Sequence, residues 1–312
     1  MEIIRNHTSQ GRKATFAVVA IGNFDGVHRG HQAILSRTVD RAKAAGGTGI
    51  VLTFDPHPLK VLAPTLDLKF LMTFGERLHW IEMIGIQQVR VVSFTHAFAN
   101  LTPAQFAQNV LRDDLGAEEI FVGSRFAFGK DRKGTVSDLA SLGNDLGFQV
   151  HPVEAVSVAG SPVSSSRIRQ CLLDGRVSAA RELLGRAYCL EGRIIPGARR
   201  GRTLGYPTAN FRPPGELVIP CNGIYAVQAE INGRIFNGVT YIGTQPTLGS
   251  KERMVETHLF ESQPDLYDQH LRVSFVEWIR PEQTFQDQRA LVRHMEEDIH
   301  KAKAILAATP VF

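Results

Sequence analysis

The stretch Ala14-Thr15-Phe16-Ala17-Val18-Val19-Ala20-Ile21-Gly22-Asn23-Phe24-Asp25-Gly26-Val27-His28-Arg29-Gly30-His31 decides the fold. Ala14 to Ile21 is an apolar run rich in β-formers, the pattern of a buried strand, and Gly22 to Gly26 ends it in a tight turn. From His31 to Ala45 the residues Ile34, Leu35, Thr38, Val39 and Ala42 recur at helical spacing, and Gly46-Gly47 stops the run. A strand, a glycine turn and a helix in that order are the first half of a βαβ unit.

Working outward, Thr48 to Phe54 reads as a second apolar strand closed by Asp55-Pro56-His57-Pro58, whose prolines forbid further pairing. Residues 76–84 have helical spacing, Gln88 to Phe94 reads as a strand and Pro103 to Leu115 as a helix. Glu119 to Val122 is a short strand ending at Gly123, and a later strand is expected from Gln149 to Val158. Strands alternating with helices predict an α/β domain with a parallel, Rossmann-like sheet covered on both faces, with ligands beyond the carboxyl ends of its strands. The glycine, histidine and proline motifs all follow those ends.

After Ser164-Ser165-Ser166, where serine suits a helix N-cap, Ile168, Cys171 and Leu172 fit a helix that Gly175 ends. Val177 to Leu184 is a last short helix, and Gly185 marks the expected domain junction, giving domains 1–185 and 186–312. Beyond it Tyr188 to Ile195, Gly223 to Ile231, Arg234 to Ile242, Glu256 to Phe260 and Leu271 to Ile279 read as strands without intervening helices. They predict a small antiparallel barrel. A terminal helix from Phe285 to Ala307 presents Leu291, Met295, Ile299, Ala302 and Leu306 as core, with Pro310 outside it.

The length of 312 residues favours two domains over one, and 43% apolar with 21% charged residues is an ordinary globular balance. A net charge of +4 without a long basic block argues for small anions rather than a nucleic-acid partner. Cys171, Cys189 and Cys221 are too few and too scattered for a disulfide framework or a tetrahedral metal site, so buried or idle thiols are expected. The N-terminus shows no signal-peptide pattern and no segment approaches membrane-spanning length, so the expected place is the cytoplasm, with no membrane partner.

Chemistry concentrates in two constellations. In the first, Gly26 and Gly30 allow close backbone approach while the helix N-terminus offers unpaired amides to a phosphate. His28 and His31, three apart, would hydrogen-bond phosphate oxygens as charge redistributes. The run resembles the His-x-Gly-His motif of nucleotidyltransferases related to class I aminoacyl-tRNA synthetases, and Ser164-Ser165-Ser166-Arg167-Ile168-Arg169 looks like their second signature, in which serines and arginines close on the triphosphate. Thr53-Phe54-Asp55-Pro56-His57-Pro58 and Val122-Gly123 with Phe126-Ala127-Phe128-Gly129 stand between them. That order resembles the adenylyltransferase module of the bacterial bifunctional riboflavin kinase/FAD synthetase family.

In the second constellation, Gly197-Ala198-Arg199-Arg200-Gly201-Arg202-Thr203-Leu204-Gly205-Tyr206-Pro207-Thr208-Ala209-Asn210 offers glycines that curl around phosphates and neutral oxygens suited to Mg²⁺. It resembles the Gly-x-Pro-Thr-Ala-Asn signature of riboflavin kinases, and Val255-Glu256-Thr257-His258-Leu259-Phe260 resembles the strand bearing their catalytic glutamate.

The resemblance implies two ATP-dependent steps, riboflavin to FMN and then FMN to FAD with release of pyrophosphate. It implies His28, His31 and Glu256 as catalytic. It places ATP or flavin on Gly22, Phe24, Asp25, Gly30, Ser164, Ser165, Ser166, Arg167, Arg169, Gly197, Arg202, Gly205, Pro207, Thr208 and Asn210, with Mg²⁺ on Thr208 and Asn210. Arg280 in Trp278-Ile279-Arg280-Pro281 matches a recurring family element. The sequence departs from the family at three places: Arg125 stands where aspartate is usual, Ala127 where arginine is usual, and Tyr241 where asparagine is common. Two alternatives stand beside the bifunctional reading, the first motivated by Arg125 and Ala127 and the second by the short basic loops. One is a riboflavin kinase with a weakened or binding-only adenylyltransferase domain, and the other is a non-catalytic flavin or RNA sensor.

Overall fold

A computed structural model describes residues 1–5, 15–196, 204–244, 253–261 and 266–309, in two compact units, Met1–Ser164 and Ser165–Phe312. The first is built on a parallel sheet of β1 (Glu2–Arg5), β2 (Ala17–Ile21), β3 (Thr48–Phe54), β4 (Gln88–Val92), β5 (Ala117–Gly123) and β6 (Gln149–Val153). Their spatial order is β1-β4-β3-β2-β5-β6. Every residue of β2 is buried, which is why the segment carries no polar residue. The chain winds outward from β2 through β3 to β4, and then resumes on the other side at β5, so the direction of winding reverses between β2 and β5. In open α/β sheets that switch point is where a ligand-binding crevice opens.

Helices cover both faces. On one, α1 (Arg29–Ala44) buries Ile34, Leu35, Thr38, Val39 and Ala42. A five-residue helix α2 (Pro58–Leu62) follows β3, and α3 (Phe74–Ile84) is fixed by a capping box between Thr73 and Glu76. After α4 (His96–Ala99), the segment expected as one regular helix starts as α5 (Pro103–Gln105) and continues with π geometry from Phe106 to Asp114. The wider turn lets Phe106, Ala107, Val110 and Leu111 all reach the second face of the sheet, where α6 (Val136–Leu146) adds Leu139. The strand expected to run through Val158 stops at Val153, and a two-residue hairpin of β7 (Ser157–Val158) and β8 (Ser161–Pro162) follows.

At the start of β5, buried Glu119 accepts from Arg41 Nε at 2.8 and 2.9 Å and lies 2.9 Å from His151 Nε2. Burial opposes its charge, but the hydrogen bonds and charge of Arg41, joined by His151, outweigh it and hold the carboxyl below the ordinary value of 4.5. A carboxylate depressed in the folded state stabilises fully above its unfolded pKa, and that contribution is lost as pH falls through the folded pKa. The acid limb of unfolding below about pH 4.5 should therefore be shallower in Glu119→Gln than in the wild type, as read by thermal melts across pH.

The second unit opens with α7 (Ser165–Leu173) and α8 (Val177–Leu184), so the compact division falls before the junction expected at Gly185. Both helices are tied to the sheet that follows. Cys221 N donates to Leu172 O at 3.1 Å, and Ser178 Oγ to Glu277 Oε1 at 3.3 Å.

The sheet contains β9 (Tyr188–Arg193), β10 (Ala209–Phe211), β11 (Gly223–Ile231), β12 (Arg234–Thr244), β13 (Arg253–Leu259) and β14 (His270–Arg280). All pairings are antiparallel, in the order β10-β13-β12-β11-β14-β9. An isolated bridge between Ile195 and Asn210 joins the two ends and closes the curl into a small barrel. Its interior holds Phe211, Tyr225, Val227, Ile242, Val255 and Phe275, all fully buried.

The last helix, α9 (Gln288–Ala308), packs on the outer face against Ala226 and Val276. Of its expected core residues, Ala302 and Leu306 are fully buried, while Leu291, Met295 and Ile299 are half-buried. Pro310 lies outside the described residues. Buried Asp298 of α9 takes a forked set of bonds from Arg280, Nε–Oδ1 at 2.9 Å and Nη2–Oδ2 at 2.7 Å. Arg280 is thus a clamp between β14 and α9. Replacing Asp298 with alanine leaves a mostly buried guanidinium unpaired, and should cost about 3 kcal/mol in denaturant unfolding of the full chain.

Candidate active sites

In the first unit, Gly22 to His28 crosses the carboxyl end of the sheet at the switch point between β2 and β5. The turn needs positive φ at Phe24 (51°), Gly26 (85°) and Val27 (36°). The two non-glycine residues are held there by burial, Phe24 being 1% exposed and Val27 0%. Gly22 leaves room for the Phe24 ring, which a Cβ would meet at 3.1 Å.

Asp25 is buried, with both carboxylate oxygens accepting the Leu71 amide, at 3.0 and 3.3 Å. The carboxylate therefore pins the Leu71 loop to the turn. Neighbouring Arg77, also buried, donates to Asn23 O at 2.5 Å and lies over the Phe74 ring. Burial lowers the pKa of its guanidinium, against the opposing charges of Asp25 and Asp55. Sequence reasoning missed Arg77, because a single arginine in a helical run looks solvated.

His28 is the N-cap of α1, so the helix starts at Arg29, two residues before the expected His31. Its Nδ1 accepts the His31 amide at 3.3 Å, so the ring proton of His28 available to a ligand is the one on Nε2. The two imidazoles stack with centroids 3.6 Å apart and planes at 15°. Gly30 leaves the space they need, since a Cβ there would lie 3.2 Å from His28 Cε1.

Burial, with the charges of His28 and Arg77, holds the His31 imidazole well below the ordinary histidine range. It is neutral at physiological pH, and its buried Nδ1 has no hydrogen-bond partner. Asn23 Oδ1 is orphaned in the same way. Two orphaned buried polar atoms, one on the turn and one in the first turn of α1, leave hydrogen-bonding capacity for a polar ligand.

A second group at the same end of the sheet is aromatic. Phe54 ends β3, Phe94 follows β4, and Phe126 and Phe128 lie beyond β5. Ring centroids are 5.6 Å apart for Phe54–Phe94 and 5.7 Å for the stacked Phe126–Phe128 pair, with Phe98 and Phe106 between. The bridge from Phe128 to Gly134 holds the loop, with Arg125 exposed and Ala127 half-buried. Phe54, Phe126 and Phe128 stand in motifs the sequence marks, but only the parallel sheet brings them together with Phe94.

Ser164 closes the first unit, whereas Ser165, Ser166, Arg167 and Arg169 lie on α7 in the second; all but exposed Ser166 are half-buried.

In the second unit the decisive fact is register. Asn210 on β10 lies directly opposite Glu256 on β13, and Glu256 directly opposite Tyr241 on β12. Directly paired residues of an antiparallel ladder project to the same face, with Cβ atoms about 4.5–5.5 Å apart. Asn210 is buried. Its Nδ2 donates to Thr208 O at 3.2 Å and Thr208 Oγ1 at 3.4 Å, and its buried Oδ1 has no hydrogen-bond partner.

Pro207 O lies 2.9 Å from His258 Nδ1, and Tyr206 Oη donates to Glu296 of α9 at 3.3 Å. These two bonds, with a positive φ of 88° at Gly205, set the path into β10. Gly197 and Arg202 lie outside the described residues. Among the described residues no group of three or more histidines, cysteines or acids could hold a metal ion; neutral oxygens are the donors the sequence leads one to expect here. The orphaned Asn210 Oδ1 beside the Thr208 hydroxyl is such a donor set, and hard oxygen donors suit Mg²⁺.

A family model described as FAD synthetase matches residues 11–167, and one described as riboflavin kinase matches 184–306. The class is therefore an ATP-using transferase with two functional halves in one chain. A bifunctional riboflavin kinase/FMN adenylyltransferase of Bacillus subtilis (strain 168) is 35% identical over 92% of this chain and 91% of its own length. One from Pseudomonas fluorescens is 35% identical over 98% of each. Among solved structures, a macrolide-efflux protein from Streptococcus pneumoniae superposes with a TM-score of 0.87 at 28% identity, covering 96% of this chain and 97% of that one. The chain belongs to the bacterial bifunctional riboflavin kinase/FMN adenylyltransferase family. No helix among the described residues is long and apolar enough to cross a membrane.

Proposed function

We propose that residues 186–312 phosphorylate riboflavin to FMN, and that residues 1–185 transfer AMP from a second ATP to FMN, yielding FAD and pyrophosphate. The observation that carries the first step is the register of Asn210 against Glu256. Glu256 accepts the proton of the ribityl 5′-hydroxyl as its oxygen attacks the γ-phosphorus of ATP and ADP leaves. Thr208 and Asn210 would hold Mg²⁺ through Oγ1 and Oδ1. Bound there, the cation would offset negative charge on the phosphates. The glycine-rich run with Gly197, Arg202 and Gly205 would surround the triphosphate.

In the second step a phosphate oxygen of FMN attacks the α-phosphorus of ATP. The nucleophile is already an anion, so no base is needed. His28 contributes the Nε2 proton, and neutral His31 contributes a hydrogen bond rather than a charge, to oxygens whose charge grows as pyrophosphate departs. Gly22 and Gly30 shape the nucleotide turn by leaving room for the Phe24 and His28 rings, while buried Phe24 and Asp25 hold it from beneath. The stretch Ser164, Ser165, Ser166, Arg167 and Arg169 would supply hydroxyl and guanidinium donors for phosphate. The aromatic rim of Phe54, Phe94 and Phe126 supports docking of the flat isoalloxazine ring at this end of the sheet.

Cytoplasmic residence, and small flavins and ATP rather than nucleic acid as partners, complete the reading. A time course of riboflavin, FMN and FAD in one reaction tests it. FMN should rise and then give way to FAD. Accumulation of FMN with no FAD would reject adenylyl transfer and leave a kinase with a binding-only first half.

A further inference from the structure

Tyr241 stands beside the proposed base, in a position the mechanism does not use. Glu256 is flanked on its own face by two directly opposed residues, Asn210 on the β10 side and Tyr241 on the β12 side. The first side carries the orphaned oxygen suited to a metal-bound nucleotide. An alcohol that surrenders its proton to Glu256 must approach from elsewhere, and the ladder leaves the Tyr241 side.

The tyrosine ring has a fixed pose. A Cβ on Gly243, two residues along the same face, would lie 1.9 Å from Tyr241 Oη and 2.2 Å from Cζ. The tip of the ring therefore occupies the volume of the missing side chain and lies along the strand instead of standing away from it. Its hydroxyl donates a hydrogen bond to Glu282 Oε1, while Asn222 Nδ2 donates to Oε2 of the same carboxylate at 3.2 Å. Burial, then the bond to Glu282, then the charges of Glu282 and Glu256 push the phenol up, so it keeps its proton and remains a donor. The result is a half-buried aromatic plate, laid over a glycine and tethered at its far end, beside the residue that takes the alcohol's proton.

We infer that Tyr241 is the specificity-determining platform of the kinase half, stacking against a planar heterocycle attached to the alcohol being phosphorylated. Glu282, held by Asn222, fixes the angle of the plate. The inference rests on the kinase reading above, in which that heterocycle is the flavin ring. Tyr241 touches substrate without sharing in proton transfer, so its loss should act on binding of the alcohol rather than on the chemical step.

Steady-state FMN formation by the full chain tests this in the wild type, Tyr241→Leu, Tyr241→Trp and Tyr241→Phe, with riboflavin and ATP varied separately. Removing one aromatic stacking partner should raise KM for riboflavin about tenfold in Tyr241→Leu, with KM for ATP unchanged and kcat within about threefold. Tyr241→Trp should keep KM for riboflavin within about threefold of wild type, and Tyr241→Phe, which keeps the ring but loses the tether, should fall between Tyr241→Leu and wild type. Quenching of riboflavin fluorescence on binding should weaken in Tyr241→Leu and persist in Tyr241→Trp. FAD formation from supplied FMN shows in each variant that the chain is folded. An unchanged riboflavin KM in Tyr241→Leu overturns the platform, as does a parallel rise in KM for ATP or a fall in kcat alone. A wild type that makes no FMN would instead reject the kinase reading itself.

Discussion

Glu256→Gln will retain riboflavin and ATP binding but form FMN about 10²–10⁴ times more slowly than the wild type. The expectation follows from where the carboxylate stands. Glu256 is on a ladder paired on both sides, so an isosteric amide keeps the same place opposite Asn210 and Tyr241 while losing its ability to take a proton. The substituted side chain is half-buried and leaves no cavity, so stability should change little. Two readings separate the outcomes. If kcat falls while the riboflavin titration is unchanged, the carboxylate acts on the chemical step. If KM rises at constant kcat, Glu256 is a binding residue, and proton removal must be assigned to another group. FAD formation from supplied FMN should continue in the same variant, because it uses a base-free reaction in the other half of the chain.

The double variant His28→Ala/His31→Ala is expected to invert that pattern, with FMN formation kept and FAD formation reduced by at least about 10²-fold, the usual cost of losing a donor aimed at developing charge. His28 is also the cap of α1, so its removal carries a stability cost of about 1 kcal/mol that a melting curve will report. His28→Asn separates the two roles, because asparagine can cap the helix yet places its amide differently. Loss of FAD formation in His28→Asn with an unchanged melt assigns the imidazole to the reaction. Equal loss of both products in a folded double variant would count against independent sites.

Much of this was legible beforehand for reasons that can be named. The strand Thr48–Phe54, the helix Val177–Leu184 and the strand Gly223–Ile231 have the expected bounds, each being a periodic segment bracketed by glycine or another turn residue. The start of α1 was hidden because a histidine, rather than serine or aspartate, caps it. β1 gave no period in four residues, and α6 follows a loop whose bridge from Phe128 to Gly134 leaves no trace in composition.

In the sites, local motifs marked the histidines, Thr208, Asn210 and Glu256. What they could not give was adjacency. Asn210 and Glu256 are far apart in sequence, and their opposition depends on strand order in a closed sheet. The gathering of Phe54, Phe94, Phe126 and Phe128 at one end of the sheet was hidden on the same ground, and the partner of Arg280 could not be named because Asp298, like Arg77, resembles any solvated charge on a helix.

The bridge that closes the barrel bears on how the chain tolerates changes in length. Asn210 gives its carbonyl to Ile195 and its side chain to the outer face, while β10 is only three residues long. A residue inserted between Thr208 and Phe211 would force a choice between keeping that closing bond with the carboxamide turned inward and keeping the carboxamide outside with the seam open. The turn from Leu204 to Pro207 belongs to no ladder and has no such parity to respect. For the closing seam, a change of length up to the proline leaves the strand parity intact and one immediately beyond it does not, a reading frame imposed by geometry on a three-residue strand.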